Sequence, residues 1–477
     1  MPPERKRFML KKFIGDKAFY KKVMMLVFPI MLQNGITNLV NMVDNIMVGT
    51  VGTEQMSAVA IVNQILFVFN LAIFGIISGV GIFTAQYYGK SDNNGIRETI
   101  RLKLVSAVII LFAAILIFSF AGETLINSYL HEGSEKMNLE LALSEGKNYL
   151  SIMLFGLIPF VIAQVYGGTL REVERPVIPM VSGIIAVLVN LAFNYFLIFG
   201  NFGFPKLGVS GAAIATVLSR FVECIITVAV CHAKRSEFAF IKSLYRNFII
   251  KFETVKRIMP KAIPLLLNEF CWSLGIALLN NAYAVRGLDV VAAANITSTI
   301  SNVFMVSVIA FGSAISIIVG GLLGAGKIEE AKETNIKMTF LSFAIAVFMG
   351  SILIFIAPLF PEIYNTEAAV KHMATSFIIC YAVYLPFNAL MNAFYFAIRS
   401  GGKTVITFIF DSVYMLCISV PFTFILANFT NLHIVPLYAL SLGIEIFKVI
   451  IGFYLIAKGA WAQNIVDENN LQKLSAD

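Results

Sequence analysis

Apolar stretches of ~18 or more residues without a single charge recur from one end of this chain to the other, each long enough to cross a hydrocarbon layer as a helix. Residues 23–43 form the first of them. A soluble core cannot absorb so many all-round apolar helices, and only 13% of the 477 residues are charged, where soluble domains run at roughly 25%. With 58% hydrophobic residues and a mean hydropathy of +0.82, the chain reads as an all-α integral membrane protein.

The net charge of +8 does not point to nucleic acid, because of where the charges lie. Arg5, Lys6, Arg7, Lys11, Lys12, Lys17, Lys21 and Lys22 crowd the N-terminus. Further Lys and Arg fall in alternate loops: Lys90 to Lys103, Arg171 and Arg175, Lys234 to Arg257, Lys327 to Lys337, and Arg399 with Lys403. The loops between are nearly free of them, and 121–147 is acidic, with Glu123, Glu132, Glu135, Glu140 and Glu145. That alternation is the positive-inside pattern. It places both termini in the cytoplasm and makes the number of spans even. No small-residue cleavage site follows the first apolar run, which reads as an uncleaved span of a plasma-membrane protein.

Enzyme signatures are missing. The sequence has no GxxxxGK[ST], no HExxH and no CxxC pair. The five cysteines fall in apolar runs at no metal or disulfide spacing. The four histidines (131, 232, 372 and 433) show no ligand cluster. The reading is therefore of a non-enzyme with no cofactor.

Turn signals and loop charges place spans near 23–48, 56–88, 102–120, 148–170, 177–200 and 208–231, and a second set near 258–284, 292–324, 336–360, 372–398, 405–427 and 434–457. The two sets are repeats. Pro29 aligns with Pro264, Asn45 with Asn280, Gly52 with Gly287, and later Arg171 with Arg399 and Arg220 with Lys448. Six spans per half is an even number, so both halves insert the same way up, related by an axis along the membrane normal. The expected organisation is a basic N-terminus (1–22), an N-lobe (23–231), a cytoplasmic linker (232–257), a C-lobe (258–457) and a cytoplasmic tail (458–477). In the linker, Phe240, Ile241, Leu244, Tyr245, Phe248 and Phe252 alternate with Lys242, Arg246 and Lys251, which reads as an interfacial amphipathic helix.

The first span carries the polar chemistry. Gln33, Asn34, Thr37, Asn38, Asn41, Asp44 and Asn45 share one face, a sector roughly 140° wide at 100° per residue. A carboxylate inside hydrocarbon is unfavourable by ~2.5–3.5 kcal/mol or more, so the stripe implies a wet cavity facing Asp44. Asn190 and Asn194 sit four apart on the fifth span, and Asn388 and Asn392 four apart on the tenth. Amides beside one carboxylate can supply oxygen ligands to a hard cation such as Na⁺; they can equally serve a carboxylate that takes up a proton. Glu269, mid-span in the seventh, is a carboxylate partly removed from water and could exchange a proton. Gln164 joins the candidate cavity residues with Gln33, Asn34, Thr37, Asn38, Asn41, Asn388 and Asn392. Arg220 with Glu223, and Glu445 with Lys448, are three apart and read as neutralising pairs. Asp411 reads as lying near Arg399 or Lys403.

The order and spacing of these features resemble the multidrug and toxic compound extrusion (MATE) family of secondary transporters over about residues 20–457. The resemblance is carried by PIMLQNGITNLVNMVDNIMVG from Pro29, NLAFNYFLIFG at 190–200, PLLLNE at 264–269 and YFAIRSGGKT at 395–404. It implies twelve helices in two six-helix bundles forming a V around a central cleft. It also implies exchange of inward Na⁺ or H⁺ for outward organic compounds, often cationic drugs, by a monomer surrounded by lipid. By resemblance Asp44 is the N-lobe cation-site acid, Asn190 and Asn194 its partners, so that Na⁺ would sit among these three, and Glu269 is the C-lobe carboxylate. Two departures stand out: some relatives have an aspartate where this chain has Asn194, and others where it has Asn388. The alternative is a flippase for lipid-linked oligosaccharides, which shares the architecture but would need several basic residues in its cavity.

Overall fold

A computed structural model describes residues 13–130, 138–246, 248 and 250–467. The basic residues Arg5 to Lys12, the loop residues His131, Glu132 and Glu135, and the tail beyond 467 lie outside the described residues. Those described are helical or irregular, with no strand among them.

Twelve of the helices are long and apolar enough to span a membrane. They are α1 (Lys17–Gly49), α2 (Thr53–Gly89), α3 (Asn93–Tyr129), α4 (Leu139–Glu172), α5 (Val177–Phe199) and α6 (Gly208–Ala233), then α7 (Phe252–Ala284), α8 (Leu288–Gly324), α9 (Ile328–Ile356), α10 (Ala368–Ser400), α11 (Thr404–Phe429) and α12 (Ile434–Lys458). Each expected span has its helix, and most helices outrun the expected limits by several residues. The excess is polar: α3 begins ahead of its apolar stretch with Arg97 and Glu98, and α9 with Glu329 and Glu330. Their outer faces remain apolar, with Phe120 86% and Phe355 80% exposed, as suits contact with lipid tails. Prolines inside α1, α4, α7 and α10 (Pro29, Pro159, Pro260, Pro264 and Pro386) each remove a backbone donor.

The chain forms two compact units. One comprises Leu32–Thr84 and Asn93–Met259; the other comprises residues up to Met31, Ala85–Asp92 and the chain from Pro260 onward. The boundaries thus fall inside α1 and α2. Within the first unit α3 packs on α4 and α4 on α6; within the second α9 packs on α10 and α10 on α12. The same adjacencies recur six helices later, as a parallel repeat requires. The second unit's main core joins Val23, Leu26, Val27 and Ile30 of α1 to Phe311, Ile315, Phe394 and Ile398.

Small residues allow the closest crossing. The end of α2 meets α8 so tightly that a Cβ at Gly324 would run into the Gln86 carbonyl, and one at Gly89 into the Gly321 carbonyl. Close backbone approach of this kind is how helices associate in lipid. Gln86 ties the same crossing down, donating to the Ser400 and Gln463 carbonyls (2.9 and 3.0 Å) while its oxygen accepts from the Ile465 N–H (2.9 Å).

The linker departs from expectation. Between Ala233 and Phe252 the described residues form turns and a short 3₁₀ segment, Ala239–Ile241, not an amphipathic helix. The reason lies on α3. Arg97 donates to the Ala239 and Phe240 carbonyls (3.5 and 3.3 Å), and Arg101 to those of Ser243, Leu244 and Arg246 (2.9, 2.8 and 3.0 Å). Carbonyls engaged by arginines are diverted from i→i+4 helix bonds.

Candidate cation and substrate site

In the first unit, α1, α5 and α6 bring one carboxylate to two amides and a hydroxyl. Asn194 Nδ2 donates to Asp44 Oδ1 at 2.6 Å. Asn190 and Asn194 lie one turn apart on one face of α5, and both are buried. The Asn190 amide is satisfied at both ends with its nitrogen toward Asp44: Nδ2 then donates to Asp44 Oδ1 and Oδ2 at 3.0 and 2.9 Å, and the oxygen accepts from Thr216 Oγ1 at 3.3 Å.

Amide nitrogens turned toward Asp44 suit a bare carboxylate, which only accepts. Asn194 Oδ1 is buried with no hydrogen-bond partner, an acceptor awaiting a donor. Asp44 makes no ion pair among the described residues. One carboxylate, two amides and a hydroxyl are groups that carry oxygens, the ligand atoms hard cations prefer.

Thr216 carries no periodic signal in the sequence: α6 also has Ser210, Ser219 and Thr227, and what marks Thr216 is the face it shares with Arg220, four residues on.

The rest of the α1 stripe is only partly engaged. Thr37, Asn38, Asn41 and Asn45 are exposed, and Gln33 and Asn34 half-buried. Thr37 Oγ1 bonds back to the Gln33 carbonyl at 2.9 Å. Gln33 fills space over α5, so that a Cβ on Gly183 would lie 3.0 Å from its Nε2. Gln164 is half-buried on α4.

In the second unit Asn268, not Glu269, is the hub of α7. Its Nδ2 donates to Asp411 Oδ2 at 3.0 Å and to the Tyr395 hydroxyl at 3.2 Å, while its Oδ1 accepts from Ser412 Oγ at 2.7 Å. Asp411 and Ser412 sit in a π-helical stretch of α11, Ile409–Val413, whose widened turn lets consecutive residues reach one partner. Asp411 pairs with Lys448 at 3.6 Å, and Lys448 with Glu445 at 2.7 Å. Asp411 is therefore partnered from α12 and α7, in place of the expected Arg399 or Lys403. The expected Glu445–Lys448 pair forms. Arg220 and Glu223 form none: Arg220 instead lies over the Phe160 ring, 5.0 Å from its centroid. Glu269 is half-buried and accepts no hydrogen bond among the described residues; Arg399 and Asp411 are the charges acting on it. Asn388 and Asn392 bond to one another on α10, Asn392 Nδ2 to Asn388 Oδ1 at 2.8 Å.

The halves differ at repeat-related positions. The register that pairs Pro29 with Pro264 sets Gln33 against Asn268, and the one that pairs Arg220 with Lys448 sets Gly183 against Asp411. The second unit thus answers its carboxylate with a lysine, whereas the first leaves Asp44 to amides.

Twelve spanning helices in two repeated halves, with polar side chains grouped inside each, define a membrane transporter and not an enzyme. The chain belongs to the multidrug and toxic compound extrusion family: the MatE family model matches residues 29–196 and again 264–425. Among curated relatives, a probable multidrug resistance protein NorM of Thermotoga maritima is 26% identical over 456 residues, covering 94% of each chain. Its counterpart in Bacillus cereus is 25% identical over 415 residues, 86% of this chain and 89% of that one. A solved outward-facing multidrug resistance MATE family transporter of the MOP superfamily matches in fold with a TM-score of 0.83 at 20% identity, over 94% of this chain and 97% of that one.

Proposed function

We propose that this chain is a multidrug exporter of the plasma membrane that exchanges inward Na⁺ or H⁺ for outward organic compounds, cationic ones among them. The observation that carries the reading is the Asp44 carboxylate, met by Asn194 at 2.6 Å and by no cationic side chain. Such a group can take up one positive charge from solution, whereas Asp411 already has Lys448 at 3.6 Å. A proton or cation at Asp44 would compete with the amide donors of Asn190 and Asn194 for the carboxylate, and so alter how α1 is held against α5. Glu269 is a second candidate acid. Candidate cargo contacts are, in the first unit, the polar residues of α1 with Gln164 and, in the second, Asn388 and Asn392.

The driving force suffices. Each inward charge supplies ~2.3 kcal/mol per 100 mV, and a tenfold ion gradient adds ~1.4 kcal/mol. Together they sustain roughly a few-hundredfold gradient of a neutral compound per cation. The flippase alternative draws less support, since Lys448 is engaged by two carboxylates.

Expression in a bacterium stripped of its own efflux pumps tests the reading. Resistance to several organic cations should rise with the wild-type chain and stay at baseline with Asp44→Asn at equal membrane abundance. No rise with wild type across chemically varied cations would count against multidrug export.

A further inference from the structure

A cavity of about 610 Å³ opens where α6 ends and the linker begins. Its lining includes His232, Arg235, Ser236, Lys242, Tyr245 and Arg246, and no acidic residue. The side chains of Arg235, Lys242 and Arg246 make no ion pair or hydrogen bond among the described residues. Glu237, the one acid in this stretch, is drawn away by Arg175 at 2.9 Å. Arg235, Lys242 and Arg246 are all exposed, and with no acid in the lining they give the cavity a positive potential that attracts anions.

The cavity is built, not a loose loop. Buried Arg101 holds the carbonyls of Ser243, Leu244 and Arg246 at 2.8–3.0 Å. It thereby fixes Ser243 at φ 62°, a left-handed conformation a serine rarely adopts. On the opposite wall the Tyr166 hydroxyl lies 3.0 Å from His232 Nε2 and also bonds the Tyr245 hydroxyl. The His232 and Tyr245 rings stack at 5.9 Å. These contacts orient the rings before any ligand arrives.

We infer that this cavity binds a ligand whose phosphate carries a negative charge not neutralised within the ligand itself. Guanidinium and ammonium groups with hydroxyls are the donors that phosphate oxygens take. The volume lies in the range of small-ligand sites, about 300–1,000 Å³. Beside it Tyr245, Phe248 and Phe252 are 56%, 42% and 78% exposed, an aromatic rim of the kind that sits at headgroup level. A lipid headgroup and a free phosphate share this chemistry; the rim makes the headgroup the expected source.

The test uses the full chain in neutral detergent, titrated with short-chain fluorescent phosphatidylglycerol and, separately, phosphatidylcholine carrying the same label. Wild type should bind the anionic lipid roughly a hundredfold more tightly than phosphatidylcholine. The triple variant Arg235→Gln, Lys242→Gln, Arg246→Gln should lose roughly a hundredfold, about fivefold per cation removed, down to the phosphatidylcholine level. A charge-keeping variant, Arg235→Lys with Arg246→Lys, should retain most of the preference, and an unchanged elution profile and melting temperature would establish that all variants are folded. Displacement of the lipid by millimolar inorganic phosphate would assign the site to a free phosphate-bearing ligand, and persistence to the headgroup. Equal binding of the two lipids by wild type, or an unaltered preference in the folded triple variant, would overturn the inference.

Discussion

Asn194 donates its side-chain amide to Asp44 Oδ1 at 2.6 Å, and the Asn190 amide nitrogen donates to the same carboxylate at 3.0 and 2.9 Å. A carboxylate held by neutral donors keeps its negative charge uncancelled. That property separates Asp44 from the other acids inside the spans.

Thr216 Oγ1 donates to the Asn190 amide oxygen at 3.3 Å. Thr216→Val removes that partner and keeps the shape. A hydrogen bond of this kind contributes about 0.5–1.5 kcal/mol, so the coupling-ion concentration giving half-maximal transport should rise roughly three- to tenfold. Initial rates in proteoliposomes against ion concentration measure it; an unchanged midpoint would remove Thr216 from the site.

Glu269→Gln should slow ion-driven uptake without abolishing it, because the Asp44 cluster is complete within its own unit. Parallel rates for this variant and Asp44→Asn decide the matter. A null phenotype for Glu269→Gln as severe as that of Asp44→Asn would make the two acids equal partners.

Lys103 is fully enclosed and forms an ion pair with Glu172, with the Thr169 hydroxyl 3.3 Å away. Lys103→Met leaves Glu172 without its partner inside the protein, a loss of about 3–5 kcal/mol. Thermal unfolding in detergent should show a clear drop in melting temperature. The double variant Lys103→Met, Glu172→Leu should recover much of it, since no charge is then left unpaired.

Gly324→Ala places a methyl against the Gln86 carbonyl. Neither backbone can yield cheaply, because Gln86 is bonded to Ser400, Gln463 and Ile465. Folded yield from membranes should fall sharply, while Gly443→Ala, where a methyl meets nothing within 4 Å, should leave it unchanged.

What could be read from sequence was what repeats at short range. The α1 stripe and the Asn190–Asn194 step follow helical periods, and the two halves align residue by residue. Contacts set by packing could not be read: Asn268 meets Asp411 across 143 positions, through a π-helical turn that no composition announces. The linker misled because alternating aromatic and basic residues look amphipathic. Only the fold places Arg97 and Arg101 where they take the carbonyls such a helix would need.

The central claim, that Asp44 couples ion entry to export, is tested most directly in liposomes holding the purified protein. Uphill movement of a fluorescent organic cation is followed under an imposed Na⁺ gradient and then a pH gradient, for wild type and Asp44→Asn. Wild type should move the cation uphill under at least one gradient, and the folded variant under neither. Undiminished uphill transport by Asp44→Asn would contradict it.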